Sequence, residues 1–192
     1  MPKAIMVMGP PGSGKGTQAQ FIADTIGATH YDTGARLREL IAAGEVPDGN
    51  YNTGKLVDPF FVAKTVIGDI TALVQKGESI VFSGSPRSLE EAFGDESHQG
   101  LIDLLGEQYG MEGVVVFLLN IPVEESIKRN TKRGRDETDS AQIIPIRYEE
   151  MYKQRIVPAV EEMRRRGYKI IEIDGMPALE AVSASIKPYL KE

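Results

Sequence analysis

Residues 9–15 read Gly9-Pro10-Pro11-Gly12-Ser13-Gly14-Lys15. They follow a short apolar run, Ala4 to Met8, and open a stretch from Lys15 to Ile26 whose apolar side chains recur at helical spacing. A glycine-rich turn between a buried strand and a helix aims successive backbone N–H groups and a helix N-terminus at one point, which suits a di- or triphosphate. Gly12, Ser13 and Gly14 supply that backbone, and Lys15 is placed to hold the outer phosphates. The general pattern has Ser or Thr directly after the lysine, as a magnesium ligand. Here Gly16 intervenes and the hydroxyl arrives one position late, at Thr17.

Working outward, four further runs have strand character: Thr29 to Asp32, Ser79 to Ser83, Gly113 to Asn120 and Tyr168 to Ile173. Ala4 to Met8 and the last three are rich in β-branched or large apolar residues and read as continuous rather than alternating, as in a parallel sheet covered on both faces. Helical spacing fills the intervals at Lys15 to Ile26, Ala35 to Ala43, Pro59 to Lys76, Ser88 to Gln108, Val123 to Lys132, Ile143 to Arg166 and Ala178 to Lys191. The alternation predicts one α/β domain, a doubly wound parallel five-stranded sheet flanked by helices. Residues 44–58 are rich in glycine and residues 133–141 are charged, so both read as excursions from the core. Arg164-Arg165-Arg166 precedes Gly167 and reads as helix-terminal cations facing the dipole.

The 192 residues carry 22 basic and 28 acidic side chains, a net charge of -6, which lacks the positive field that nucleic-acid or anionic-membrane binding rests on. With no cysteine there is no thiolate nucleophile and no cysteine-bound zinc, and a reducing, cytoplasmic setting is expected. The two histidines cannot build a multi-histidine metal site; His30 reads as packed and His98 as solvated. Nothing in the composition demands a partner protein, and a monomer is expected.

The string Gly9 to Ala19 resembles the phosphate loop of the adenylate kinase family, whose members also carry glycine after the lysine. The resemblance runs from Lys3 to about Leu190 and implies a P-loop NTPase type of fold. It divides the chain into a core (1–32, 61–132 and 141–192), a monophosphate-binding excursion at 33–60 and a short zinc-free lid at 133–140. It implies that Thr33 and Gly34 touch the acceptor base and Arg38 its phosphate, although Thr33 could equally be only a helix cap. Lys55, Leu56 and Val57 are similar to the family's run against the acceptor base, and Gly84 and Arg87 to its second grip on the acceptor phosphate. Arg129 corresponds to the residue that stacks on the donor base. Arg133, Arg135 and Arg147 correspond to those gathering phosphates beneath the lid, and Met176 lies in the turn bordering the donor adenine.

Two positions depart from the family. Ser83 stands where members usually carry an aspartate that is water-linked to magnesium, and Glu91 where they usually carry glutamine. Ionised glutamate only accepts hydrogen bonds, which suits guanine better than adenine, while Thr33 argues for AMP. Asp136 and Asp139 match the family's paired lid aspartates only if one residue is inserted. The implied reaction moves the γ-phosphoryl of ATP to AMP, giving two ADP, with Mg2+ held through phosphates and water and Thr17 as a candidate side-chain ligand. Lys15, Arg38, Arg87, Arg133, Arg135 and Arg147 form its catalytic set. The alternatives are a GMP or UMP/CMP kinase, or a nucleotide-binding regulatory module that transfers nothing. Against a GTP switch, the chain contains no Asn-Lys-x-Asp signature.

Overall fold

The computed structural model describes residues 3–46, 57–134 and 139–190. Five strands, β1 (Ala4–Met8), β2 (Thr29–Asp32), β3 (Ile80–Ser83), β4 (Val114–Asn120) and β5 (Lys169–Asp174), form one sheet in the order β2-β3-β1-β4-β5. All neighbours pair in parallel. The helices are α1 (Lys15–Ile26), α2 (Thr33–Ala42), α3 (Pro59–Gln75), α4 (Leu89–Phe93), α5 (Leu101–Tyr109), α6 (Val123–Arg133), α7 (Ile143–Ile146), α8 (Val157–Arg165) and α9 (Leu179–Ile186).

The continuous apolar runs have the expected cause. In β1, Ala4, Met6 and Met8 face one core with the buried residues of α2 to α5 and α8, while Ile5 and Val7 face another with those of α1 and α9. The edge strand β5 differs, because Lys169, Glu172 and Asp174 are exposed and only every second residue is buried near its end. Adjacent strands β1 and β4 send their crossovers to opposite sides, to β2 and β5, and so open a crevice at their carboxyl ends.

Three expected helices are interrupted. Ser88 to Gln108 splits into α4 and α5, because Gly94 takes φ 63° and ψ -152°, a conformation that L side chains avoid. The Asp95 carboxylate then accepts from the Ser97 N–H at 2.8 Å and tightens the turn. Ile143 to Arg166 is helical throughout, but Arg147–Ile156 is a π-helix between α7 and α8. Pro158 has no N–H to return to the Gln154 carbonyl, and its ring crowds that carbonyl in an α-turn. The wider turn, in which the Val157 N–H reaches the Tyr152 carbonyl, leads the chain into the proline. The C-terminal helix ends at Ile186 and tightens into a 3-10 turn, Lys187–Leu190, around Pro188. Among the described residues no helix is long and apolar enough to cross a membrane.

The Arg164–Arg166 run is structural, as its position implied. Arg165 and Arg166 bind Glu162, Arg164 binds Glu161 and Glu172, and Arg166 also lies over the Phe93 ring at 3.7 Å. His98 is not simply solvated, since its ring stacks on Phe60 at 4.4 Å.

A methyl group at Gly94 would lie 1.8 Å from the His98 carbonyl oxygen. Gly94→Ala is therefore expected to cost about 2 kcal/mol or more and to lower Tm by about 4 to 8 °C in a thermal melt.

Candidate active site

The Gly9–Gly14 turn leaves β1 at the crevice and is gripped from the side by α6. Ser126 Oγ donates to the Pro11 carbonyl at 2.6 Å, and Asn130 Nδ2 donates to the Ser126 carbonyl at 2.7 Å. Gly12 has φ +77°, and a Cβ there would lie 2.5 Å from Asn130 Nδ2, so only glycine fits against this clamp. Gly14, at φ 87°, turns the chain into α1.

A cavity of about 200 Å³ opens over this turn. Its lining brings together Gly12, Gly14, Lys15, Gly16 and Thr17 with Gly34 and Arg38 of α2, Gly84 and Arg87 after β3, Arg133 of α6 and Arg147 of the π-helix. Ser13 is buried behind the loop, and its Oγ has no hydrogen-bond partner among the described residues. Lys55, Leu56 and Arg135 lie outside the described residues, as does Asp136. Val57 packs in the core cluster that contains Leu37 and Leu40.

Lys15 donates to the Pro10 carbonyl of its own loop at 3.2 Å. The Arg87 side chain donates through Nε to the Gly84 carbonyl, and its backbone N–H donates to Glu91 Oε2 at 2.8 Å. Arg133 donates twice to the buried carboxylate of Asp139, at 2.8 and 2.6 Å, and once to Asn130 Oδ1 at 2.6 Å. Arg147 approaches the same Asp139 at 3.7 Å. Asp139 is thus the joint between the two arginines. Arg129 lies outside this cavity, its fork donating to the Gly175 and Met176 carbonyls at 2.9 and 3.0 Å and its Nε to Glu125. That fixes the plane of the guanidinium beside the exposed Met176.

Electrostatics follow from this crowding. Burial, then Arg147, Arg87 and Arg133, push Lys15 down to about 7, against a smaller upward pull from Asp32. Glu91 moves the other way: burial raises its carboxyl to about 7 despite the nearby Arg87 guanidinium. Its Oε1 is buried without a partner among the described residues, while Oε2 also receives the Ser85 hydroxyl at 3.4 Å. Thr33 is not the cap of α2. Asp32 is, accepting the Ala35 N–H at 2.9 Å, and the Thr33 hydroxyl donates to Ser85 at 3.0 Å. His30 sits between Gln20 and Ser83, 3.0 Å from each, with burial lowering its pKa.

The sequence did not single out Asp32, Met151 or Ile156, all of which line the cavity. Arg147, Met151 and Ile156 are four and five residues apart, one per turn of a helix bonded i to i+5. An α-helical reading hides that shared face. Asp32 becomes legible only through strand order, which sets it in register with Ser83. Among the described residues no group of three His, Cys, Asp or Glu could hold a metal unaided. Thr17 and Asp32 are oxygen donors at the loop, which fits a magnesium ion that keeps its waters and arrives on phosphates.

A phosphate loop at the carboxyl end of a parallel sheet, faced by arginines from four other segments, defines a nucleotide-dependent phosphotransferase. A family model described as AAA domain matches residues 8–144. An adenylate kinase of Synechococcus sp. (strain WH7803) is 33% identical over 195 residues, covering 99% of this chain and all of the relative. Adenylate kinases of Prochlorococcus marinus (strain NATL1A) and Thermus thermophilus are 30% and 29% identical, over 99% and 98% of this chain and 100% and 97% of theirs. The chain belongs to the adenylate kinase family and is a nucleoside monophosphate kinase.

Because Lys15 has a lowered pKa without ligand, it resists protonation above about 7, and the unliganded fold gains stability as pH rises from there toward 10.5. Polyphosphate reverses the shift. At pH 8, binding of ATP is expected to take up about 0.9 proton per site, read by calorimetry in buffers of different ionisation enthalpy. Lys15→Met should bind with no such uptake.

Proposed function

We propose that the cleft carries out ATP:AMP phosphoryl transfer with the following division of labour. Lys15 and the loop N–H groups hold the donor phosphates, Arg38 and Arg87 hold the acceptor phosphate, and Arg133, Arg147 and Arg135 collect charge on the phosphoryl in transit. The observation that carries this reading is the convergence of Lys15, Arg38, Arg87, Arg133 and Arg147 on one cavity. An AMP phosphate is already a nucleophile, so no general base is needed, and His30 is left to hold Ser83. Magnesium supplies charge neutralisation on the donor phosphates when bound, and Thr17 and Asp32 are the side chains available to its shell. Excursions 33–60 and 133–140 close over the bound pair and exclude water, the competing acceptor. A cytoplasmic monomer is part of the same reading.

Glu91 reads the acceptor base. A glutamic acid that keeps its proton can donate through Oε1, as the glutamine usual here donates to the adenine ring nitrogen, while Oε2 is taken up by the Arg87 N–H and the Ser85 hydroxyl. Burial that raises its carboxyl to about 7, together with the partnerless Oε1, supports this role.

ADP formation from ATP with each monophosphate tests the assignment. AMP should be the best acceptor, and turnover with GMP but not AMP would overturn it. Lys15→Ala should cut turnover by about 2 to 4 orders of magnitude while the circular dichroism spectrum is retained. As pH rises from 6.5 to 8.5, Glu91 loses its proton and KM for AMP should climb. In Glu91→Gln the climb should be absent, and parallel profiles for both proteins would remove Glu91 from base recognition.

A further inference from the structure

The cavity that gathers five cations is lined by a single carboxylate among the described residues, Asp32. Its position at the end of β2 is set by the sheet, in register with Ser83 at the end of β3. Oδ1 is occupied by the Ala35 N–H at 2.9 Å. Oδ2 makes no hydrogen bond or ion pair among the described residues, and it lies 3.9 Å from where a Cβ of Gly16, in the first turn of α1, would stand. Ser83, the neighbouring oxygen, is already engaged by His30 at 3.0 Å.

Within the cleft Asp32 offsets part of the charge of Lys15, and its Oδ1 lies 3.2 Å from the point above Gly34 that Arg38 and Arg87 also approach. Its free Oδ2 is nevertheless repulsive toward a bare phosphate, and Arg133 and Arg147 turn to Asp139 instead. The arrangement becomes favourable once a cation with bound water lies between Asp32 and the phosphates. Carboxylate oxygens take hydrogen bonds from metal-bound water, and magnesium keeps several waters when it travels with a nucleotide.

We propose that Asp32 is the positioning residue for the hydrated divalent cation carried on the donor phosphates. This role falls on the β2 end of the cleft because Ser83, its partner in register, carries no charge. The inference rests on the phosphotransferase reading above.

Asp32→Asn and Asp32→Ser test it, because Asn and Ser are both good N-caps and keep the start of α2 while removing the charge. The measurement is calorimetric binding of a non-hydrolysable ATP analogue to the full chain, with excess Mg2+ and with EDTA. Both variants should bind the metal-free analogue at least as tightly as the native chain, since a repulsive charge is gone. With Mg2+ they should bind about tenfold or more weakly than the native chain. Electron paramagnetic resonance with Mn2+ as probe should show the same loss in Mn2+ affinity of the enzyme–analogue complex. Equal weakening with and without metal would make Asp32 a structural cap only, and an unchanged metal advantage would remove it from the cation's shell. Either result sinks the inference and leaves the kinase reading standing. Failure of the native chain to bind the analogue in either condition would instead sink the kinase reading.

Discussion

Positive charge at the carboxyl end of the sheet is the constraint around which the rest of the molecule is arranged. Arg38 Nη1 and Arg87 Nη2 lie 3.3 and 3.6 Å from the same point above Gly34, hence within about 7 Å of each other. Two unit charges at that separation repel by about 2 kcal/mol at an effective dielectric of about 20, and the cleft holds five cations. The fold tolerates this in three ways, the first being the Asp32 carboxylate, whose Oδ1 lies 3.2 Å from that same point above Gly34. Lys15 is pushed to about 7 and sheds part of its charge, while Arg133 and Arg147 share a carboxylate, Asp139, that is buried within the wall. The unliganded site is therefore strained toward anions, and binding a polyphosphate relieves the repulsion. Such stored repulsion favours the state of highest negative charge in the cleft, which is the state approached when phosphoryl oxygens crowd between donor and acceptor.

Tolerance of repulsion requires rigid anchors, and these come from elements distant in sequence. The loop is clamped by α6 through Ser126 and Asn130, and the same Asn130 receives Arg133 through its Oδ1. One side chain thus ties loop geometry to the position of Arg133. The π-helix is fastened to the end of β4 by Tyr148, which donates to the Ile121 carbonyl, and by Tyr152, which donates to Asn120 Oδ1. Displacement of either segment moves a guanidinium relative to the loop, so packing at α6 and the π-helix is part of the site's alignment.

The order of strands and helices was legible because it rests on local signals. Runs rich in apolar residues marked four of the strands, although β5 is buried only at every second residue near its end, and α1 begins and ends at the residues read from the chain, between Gly14 and Gly27. The interruptions were less legible. Gly94 was read through as helical, although its geometry depends on a turn closed by Asp95 and His98, and π-helical spacing differs from α-helical by only one residue per turn. In the site, the loop could be found from spacing, whereas the arginines were placed by the resemblance to the adenylate kinase family, because an arginine row on a helix face by itself reads as hydrated. Asp32 and Asp139 could not be assigned that way. The relevance of Asp32 comes from strand register, and that of Asp139 from two arginines 6 and 8 residues away that meet it only in the fold.

That contrast separates two kinds of functional residue in a parallel sheet. The phosphate loop cannot move, because its N–H groups, its left-handed glycines and the start of α1 form one continuous piece of backbone. Strand-end side chains are less bound to one strand. Neighbouring parallel strands lie about 4.8 Å apart with their carboxyl ends on the same edge, so residues in register, such as Asp32 and Ser83, overlook the same volume. A charge needed there can stand on either strand, provided that its own backbone accepts it. β2 does so readily, since an aspartate at its end also caps α2. Conversely, Ser83 on the inner strand fits a buried position that an uncompensated carboxylate would occupy at a cost. A carboxylate is thus cheaper to hold at the end of β2 than at the buried end of β3, while the phosphate cradle is fixed by chain geometry.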